Sequence, residues 1–257
     1  MTERITPWPE GTPCWVDLMV SEGRRAQEFY TALFGWQFAD QGEEHGHYAV
    51  ALVGGRATAA LGPKPPDREI PSFWQTYLAV DSADATAAKI TGAGGRVLMP
   101  PEDIGQKGRM AVVADPAGAV FGLWQSRETT GAQIANVPGA LTWNECMTRD
   151  FEVAKSFYTN VFGYELDDMS SGDFKYAVLK VGGNGVGGLG ELPSEVPAEI
   201  PPHWSTYFGV ADTDATVAKV TELGGKVIRE PMDSPYGRMA QVTDDQGVPF
   251  CVISVGG

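Results

Sequence analysis

Phe29-Tyr30-Thr31-Ala32-Leu33-Phe34-Gly35-Trp36 returns as Phe157-Tyr158-Thr159-Asn160-Val161-Phe162-Gly163-Tyr164, 128 residues later (157 − 29 = 128). The spacing holds away from this pair. Tyr48-Ala49-Val50 returns as Tyr176-Ala177-Val178 at 128, Gly108-Arg109-Met110-Ala111 as Gly237-Arg238-Met239-Ala240 at 129, and Trp74 corresponds to Trp204 at 130. An offset this steady along the whole chain is the mark of an internal duplication with small insertions and deletions.

Each copy reads as two βαβββ units, which makes the chain α+β. In the first copy, alternation from Trp15 to Val20 predicts a strand. Ala26, Phe29, Tyr30 and Leu33 form one stripe of a helix over 24–33, stopped by Gly35. Short strands are expected over 36–38, 48–53 and 57–61, then a Pro-rich connector from Gly62 to Ser72. The pattern restarts with a strand at 74–80 and a helix over 82–93 capped by Asp81 or Ser82. Strands follow near 97–99, 110–114 and 120–124, the last preceded by the turn Asp115-Pro116-Ala117-Gly118. The second copy repeats the order, with helices near 152–161 and 212–223, a connector over 193–202 and a final turn Asp244-Asp245-Gln246-Gly247. The expected organisation is a first module over 1–126, a linker over 127–139 and a second module over 140–257.

The 257 residues carry 19 basic and 33 acidic side chains, a net charge of −14. Such a surface repels phosphate backbones and anionic lipid, so neither nucleic acid nor a membrane is an expected partner. It suits a cationic ligand, or solubility alone. Cys14, Cys146 and Cys251 form no framework and no CxxC pair. No apolar segment resembling a signal peptide or a membrane span is present, and a cytoplasmic location is expected.

Two βαβββ units with an FY…FGW-type helix end and a DPxG turn before the last strand resemble the vicinal oxygen chelate superfamily, which holds glyoxalase I, bleomycin-resistance proteins and extradiol dioxygenases. The resemblance covers nearly the whole chain, twice, and implies two tandem glyoxalase-like modules, each a cup-shaped sheet. In the enzymes of that superfamily the cup holds a divalent metal. The resemblance places the first donor at Trp15 and Trp143, the second at Gln75 and Ser205, and the third at Gly122 and Cys251. A divalent ion needs about three converging His/Glu-type ligands. Neither copy keeps them, so no metal and no cofactor is expected, and the usual metal-dependent glyoxalase or dioxygenase chemistry is disfavoured.

Strand residues two apart share a face. Copy one then turns Trp15, Asp17, Met19, Gln75, Tyr77 and Trp124 inward; copy two turns Trp143, Glu145, Met147, His203, Ser205, Tyr207 and Cys251 inward. These are aromatic cups with one carboxylate each. Asp17 and Glu145, at equivalent places, are candidate acid–base groups, or holders of a cationic ligand. The plainer reading pairs each carboxylate with Arg109 or Arg238. His203 could form a base–carboxylate pair with Glu145, or simply hydrogen-bond the backbone at a strand start. Cys251 could be a thiolate or a small buried side chain, and Cys14 and Cys146 read as packing residues. His45 and His47 read as solvated loop residues, and Trp36, Phe121 and Phe250 as core. Gly183, Gly185 and Gly188 spell GxGxxG but follow a strand rather than open a helix, so they read as a hairpin turn.

The expected function is binding of a small organic molecule, aromatic or cationic, in metal-free cups of the bleomycin-resistance kind. The alternative is an enzyme of the same superfamily, hydroxylase-like, glyoxalase-like lyase or dioxygenase, acting on a small molecule. A third reading is an interaction protein with vestigial cups. The tandem fusion is expected to act as a monomeric pseudo-dimer or to form a homodimer.

Overall fold

A computed structural model describes residues 1–64 and 71–255. The middle of the Gly62–Ser72 connector and the last two residues of the second module lie outside the described residues. A short strand β1 (Thr2–Glu3) precedes the first copy, which runs β2 (Pro13–Val20), α1 (Gly23–Phe34), β3 (Gln37–Asp40), β4 (Ala49–Val53), β5 (Arg56–Pro63), β6 (Trp74–Ala79), α2 (Ala83–Gly92), β7 (Arg96–Ile104), β8 (Gly108–Ala114) and β9 (Val120–Ser126). After β10 (Ile134–Ala135), the second copy repeats this as β11 (Leu141–Thr148), α3 (Phe151–Phe162), β12 (Glu165–Asp168), β13 (Tyr176–Val181), β14 (Asn184–Glu191), β15 (His203–Val210), α4 (Thr213–Glu222), β16 (Lys226–Ser234), β17 (Gly237–Thr243) and β18 (Pro249–Ser254).

Each copy folds into its own sheet. The order is β3-β4-β5-β2-β6-β9-β8-β7 in the first and β12-β13-β14-β11-β15-β18-β17-β16 in the second. Two βαβββ units therefore meet through their opening strands, antiparallel, at β2–β6 and β11–β15. The fold class is α+β with two tandem modules of the expected kind.

Local chemistry sets the boundaries. Gly35 and Gly163 take left-handed φ of 71° and 70° and return their N–H to the Thr31 and Thr159 carbonyls, closing α1 and α3. Ser82, not Asp81, caps α2 by accepting the Ala85 N–H, and Asp212 caps α4 through Ala215. Gly182 and Gly183, at φ 55° and 77°, form the β13–β14 hairpin turn, so the GxGxxG string is a turn and a strand. β7 and β16 run longer than the alternation suggested because bulges let them pair on past the Pro residues. Trp36 falls just before β3 instead of inside a strand.

The helices lie where the copies meet: α1 touches α4, and α2 touches α3. Seam contacts come in pseudo-symmetric pairs. Tyr30 Oη donates to Asp244 Oδ2 at 3.1 Å and accepts from Trp74 Nε1 at 3.2 Å. Tyr158 Oη donates to Asp115 Oδ2 at 3.3 Å and accepts from Trp204 Nε1 at 3.0 Å. The two aspartates are those of the turns before the last strands; each also receives two backbone N–H groups of its own turn. Phe208 packs on Phe34, Trp36 and Trp74 with ring centroids 5.0–5.3 Å apart. Such aromatic pairs add about 0.5–1.5 kcal/mol each beyond the area they bury. Trp36, Phe121 and Phe250 are core, as expected, but core of the seam.

The segment between the copies is fastened down. β10 pairs with β1 and β11. Trp8 Nε1 donates to the Ala132 carbonyl, Trp124 Nε1 to the Thr129 carbonyl, and Ala132 N–H to the Cys14 carbonyl.

Candidate functional site

Cross-strand partners in a sheet share a face. Trp15 stands opposite Tyr77 and Asp17 opposite Gln75; Tyr77 stands beside Gly122. In the second copy Trp143 faces Tyr207, Glu145 faces Ser205, Met147 faces His203, and Tyr207 stands beside Cys251. The inward sets read from alternation are thus brought together in both copies. The opposite face of β2, with Cys14, Val16 and Leu18, is fully buried in the core.

At the centre of each cup is a hydrogen-bonded chain. In copy one, Trp15 Nε1 donates to Tyr48 Oη at 3.0 Å, and Tyr48 Oη donates to Asp17 Oδ2 at 2.9 Å. Tyr77 Oη donates to the same oxygen at 3.2 Å. In copy two, Trp143 Nε1 donates to Tyr176 Oη at 3.2 Å, Tyr176 to Glu145 Oε2 at 3.0 Å, and Tyr207 to Glu145 Oε1 at 2.6 Å. An indole, two phenols and one carboxyl recur in the same places.

The carboxyls do not pair with arginine. Arg109 is held by Asp84 and Asp103, and Arg238 by Asp214 and Asp233, all on the outer surface. The expected pairing of Asp17 or Glu145 with these arginines is corrected: the phenols take their place. With no cation bonded to either carboxyl, burial dominates. It pushes the Asp17 carboxyl up to about 7, only partly offset by the Tyr48 and Tyr77 donors. Asp17 is 4% exposed, and its Oδ1 is buried without a partner. Glu145 is half-buried and is also raised; the Tyr207 and Tyr176 donors and the charge of Arg229 pull it back. Burial and the adjacent carboxyls hold all four phenols above their ordinary value, so they act as neutral donors.

Other predicted residues are placed as follows. Met19 and Met147 lay their thioethers over Gly62 and Gly190, beside Tyr48 and Tyr176. Trp124 is half-buried at the edge of cup one. His203 Nδ1 bonds the Pro201 carbonyl at 2.8 Å, the plainer of its two readings. His47 pairs with Asp40 at 2.9 Å on an exposed loop. Burial pushes the Cys251 thiol up, away from thiolate chemistry.

The positions where the resemblance puts metal donors do not fit a metal. Trp15 Nε1 is committed as a donor to Tyr48, which leaves the neutral amide oxygen of Gln75 as the one side-chain donor of the first set. Gly122 has no side chain, and a Cβ there would overlap the Tyr77 ring. In copy two the set is an indole, a hydroxyl and a protonated thiol. Among the described residues no group of three His, Cys, Asp or Glu side chains could hold an ion.

Tyr48 and Tyr176 were not anticipated as site residues, although their recurrence at the common offset, two residues before Val50 and Val178, was visible. Arg229 was missed too. It stands opposite Gln241, which stands opposite Cys251, so it extends the inward row of Tyr207.

The sequence model of the "Glyoxalase/Bleomycin resistance protein/Dioxygenase superfamily" matches residues 14–123 and again 141–252. "Putative glyoxylase CFP32" of Mycobacterium tuberculosis is 44% identical over 250 residues, 95% of each chain. "Anthracycline biosynthesis protein DnrV" of Streptomyces peucetius is 36% identical over 267 residues, covering 98% of this chain and 96% of the relative. Among solved structures, the Mn(II)-bound glyoxalase of Novosphingobium aromaticivorans superposes with a TM-score of 0.66 at 17% identity over 95% of this chain and 83% of that one. The 2,2',3-trihydroxybiphenyl 1,2-dioxygenase of Sphingomonas wittichii gives 0.65 at 14% identity over 96% and 91%. These two likenesses are of fold. No helix of the described residues is long and apolar enough to cross a membrane.

Proposed function

The chain belongs to the Glyoxalase/Bleomycin resistance protein/Dioxygenase superfamily, and we propose that within it the protein binds a planar aromatic molecule bearing polar oxygen substituents, without a divalent metal. The observation that carries this is the indole–phenol–carboxyl–phenol cluster standing, in both copies, among the positions that would hold metal donors. Flat aromatic walls with a few placed polar groups suit such a ligand. Carboxyls held toward their neutral form favour an aromatic ligand over the cationic one also expected from sequence. The name of the Streptomyces relative, in anthracycline biosynthesis, supports a fused-ring ligand.

The test is calorimetric titration of metal-stripped protein with Ni²⁺, Zn²⁺, Fe²⁺ and Mn²⁺, then with hydroxylated anthraquinones followed by tryptophan quenching. The expected result is no near-stoichiometric ion and saturable quenching. Tight uptake of one ion, with turnover of a 2-oxoaldehyde and a thiol in a glyoxalase assay, would overturn the reading.

A second reading, proton transfer on a bound substrate, is favoured by the same raised carboxyls. It requires turnover that Glu145→Gln or Asp17→Asn abolishes while ligand quenching persists.

A further inference from the structure

The two cups share a centre but differ around it. In copy one, Trp15 and Gln75 are buried along with Asp17. Their counterparts Trp143, Ser205 and Glu145 are half-buried. Across the mouth of cup one, Lys107 Nζ on the β7–β8 hairpin donates to Gln41 Oε1 beyond β3 at 3.0 Å. The counterpart contact in copy two joins Tyr236 Oη to Met169 Sδ at 2.9 Å. A polar latch is replaced by a phenol donating to a thioether sulfur, a weak acceptor on an adaptable side chain.

The rim changes character as well. Phe174 is 59% exposed and Tyr236 62% exposed, with Met169 and Met232 exposed beside them in the same copy. Phe174 stacks on Tyr176 with centroids 5.9 Å apart and planes 13° off parallel. Since Tyr176 bonds Glu145, an aromatic track runs from solvent to the carboxyl. In copy one the place of Phe174 is taken by Gly46 and that of Met232 by Glu102.

The inward rows differ in charge. Copy one presents Met99, Val112, Gly122, Tyr77 and Trp15 in register; copy two presents Arg229, Gln241, Cys251, Tyr207 and Trp143. Arg229 is exposed, and its charge is felt at Glu145 and at Cys251.

We infer that ligand binding is confined to cup two, which takes a planar aromatic carrying an acidic oxygen substituent, such as a carboxylate or phenolate, directed at Arg229, while cup one is a closed structural counterpart. The rings enter along Phe174 and Tyr236, and the anion meets the guanidinium in an otherwise acidic protein. This rests on the metal-free aromatic reading but can fail separately from it.

The test is calorimetry of the full chain with anthraquinone-2-carboxylate and, as the neutral comparison, anthraquinone-2-carboxamide. The variants are Arg229→Met and Tyr236→Ala, at exposed residues, and Lys107→Ala, at a half-buried one. One molecule of the carboxylate binds per chain. Arg229→Met weakens it about tenfold, the scale of a lost charge-assisted contact, and leaves the carboxamide within twofold. Tyr236→Ala weakens both compounds, and Lys107→Ala neither. Two molecules per chain, or sensitivity to Lys107→Ala without sensitivity to Tyr236→Ala, would refute confinement to cup two while leaving aromatic binding intact. Equal loss of both compounds on Arg229→Met would remove the acidic oxygen from the ligand's description. Failure of both compounds to bind wild-type protein would remove the inference and the aromatic reading together.

Discussion

Replacing Asp17 by Asn should make the protein's stability less dependent on pH. The carboxyl is 4% exposed, has no cation beside it, and is raised from 3.8 to about 7. A group with a raised folded-state value binds its proton more tightly when folded. Its contribution is therefore largest in acid and is lost as pH climbs from about 4 to about 7, where the unfolded chain has already ionised. Each tenfold in proton affinity is worth ~1.4 kcal/mol, so ionising Asp17 in place costs on the order of 4 kcal/mol in full. Over the workable span from about pH 5.5 to 8.5, roughly 2 kcal/mol of this falls away, with the slope flattening above about pH 7. Asn keeps the shape: its carbonyl oxygen accepts from Tyr48 and Tyr77 as Oδ2 does, and its amide takes the place of the unpartnered Oδ1. Urea unfolding of wild type and Asp17→Asn across that span isolates the effect, because the other acidic groups cancel in the difference. The expected result is a gap that shifts by about 2 kcal/mol in favour of Asn as pH rises. Difference infrared spectroscopy should show the carbonyl stretch of a protonated carboxyl near neutral pH that Asp17→Asn removes. Parallel stability curves together with no such band would refute a desolvated Asp17.

Three further outcomes follow from the same geometry. Tyr30→Phe leaves Asp244 Oδ2 and Trp74 Nε1 without their shared buried partner, and should cost about 1–3 kcal/mol in denaturant unfolding; a neutral result would mean that the seam does not depend on this bond. Gly122→Ala puts a methyl into the Tyr77 ring and should destabilise by about 1–3 kcal/mol while altering the Trp15 fluorescence next to it; unchanged stability would place Tyr77 elsewhere. All three cysteines are buried with thiols pushed up, so they should react with a thiol reagent at the rate of unfolding; fast labelling of native protein would contradict the burial of Cys251 in the wall of cup two.

The repeat was legible because a duplicated sequence carries its own alignment, and the strands were legible because alternation is physical: Trp15, Asp17 and Met19 must share a face. Tyr48 and Tyr176 escaped because one stands just ahead of β4 and the other opens β13, where too few neighbours establish which way the alternation runs. The seam escaped for a different reason. Tyr30 lies on an amphipathic stripe that tells only that the helix face is buried. Its bond to a turn 214 residues away is a fact of how the copies dock. Arg229 was hidden by bulges in β16, which break the count from one inward residue to the next. The Asp17–Arg109 pairing had the right chemistry and failed on the face of the sheet: Arg109 alternates with the inward Met110 and turns outward to Asp84 and Asp103.

Fusion gives this seam a freedom that a symmetric dimer lacks. Asn144 on β11 donates to Thr76 Oγ1 at 2.9 Å and to Thr206 Oγ1 at 3.1 Å, serving one threonine from each copy. Its counterpart in copy one is Val16, fully buried. Two identical chains would have to place Asn at both positions or Val at both. The first would set two amides against one pair of hydroxyls, and the second would leave both threonine hydroxyls to find other partners in a buried seam. A single asparagine between two threonines satisfies the group and fixes how the sheets register. The same release from symmetry lets Gly122 and Cys251, Met99 and Arg229, or Lys107 and Tyr236 differ without penalty to their partners. One cup can then be closed for stability while the other keeps an open aromatic rim. The carboxyl–phenol cluster stands in both copies with a structural role of its own: in the closed cup it is the polar centre that ties β2 and β6 to Tyr48, just ahead of β4.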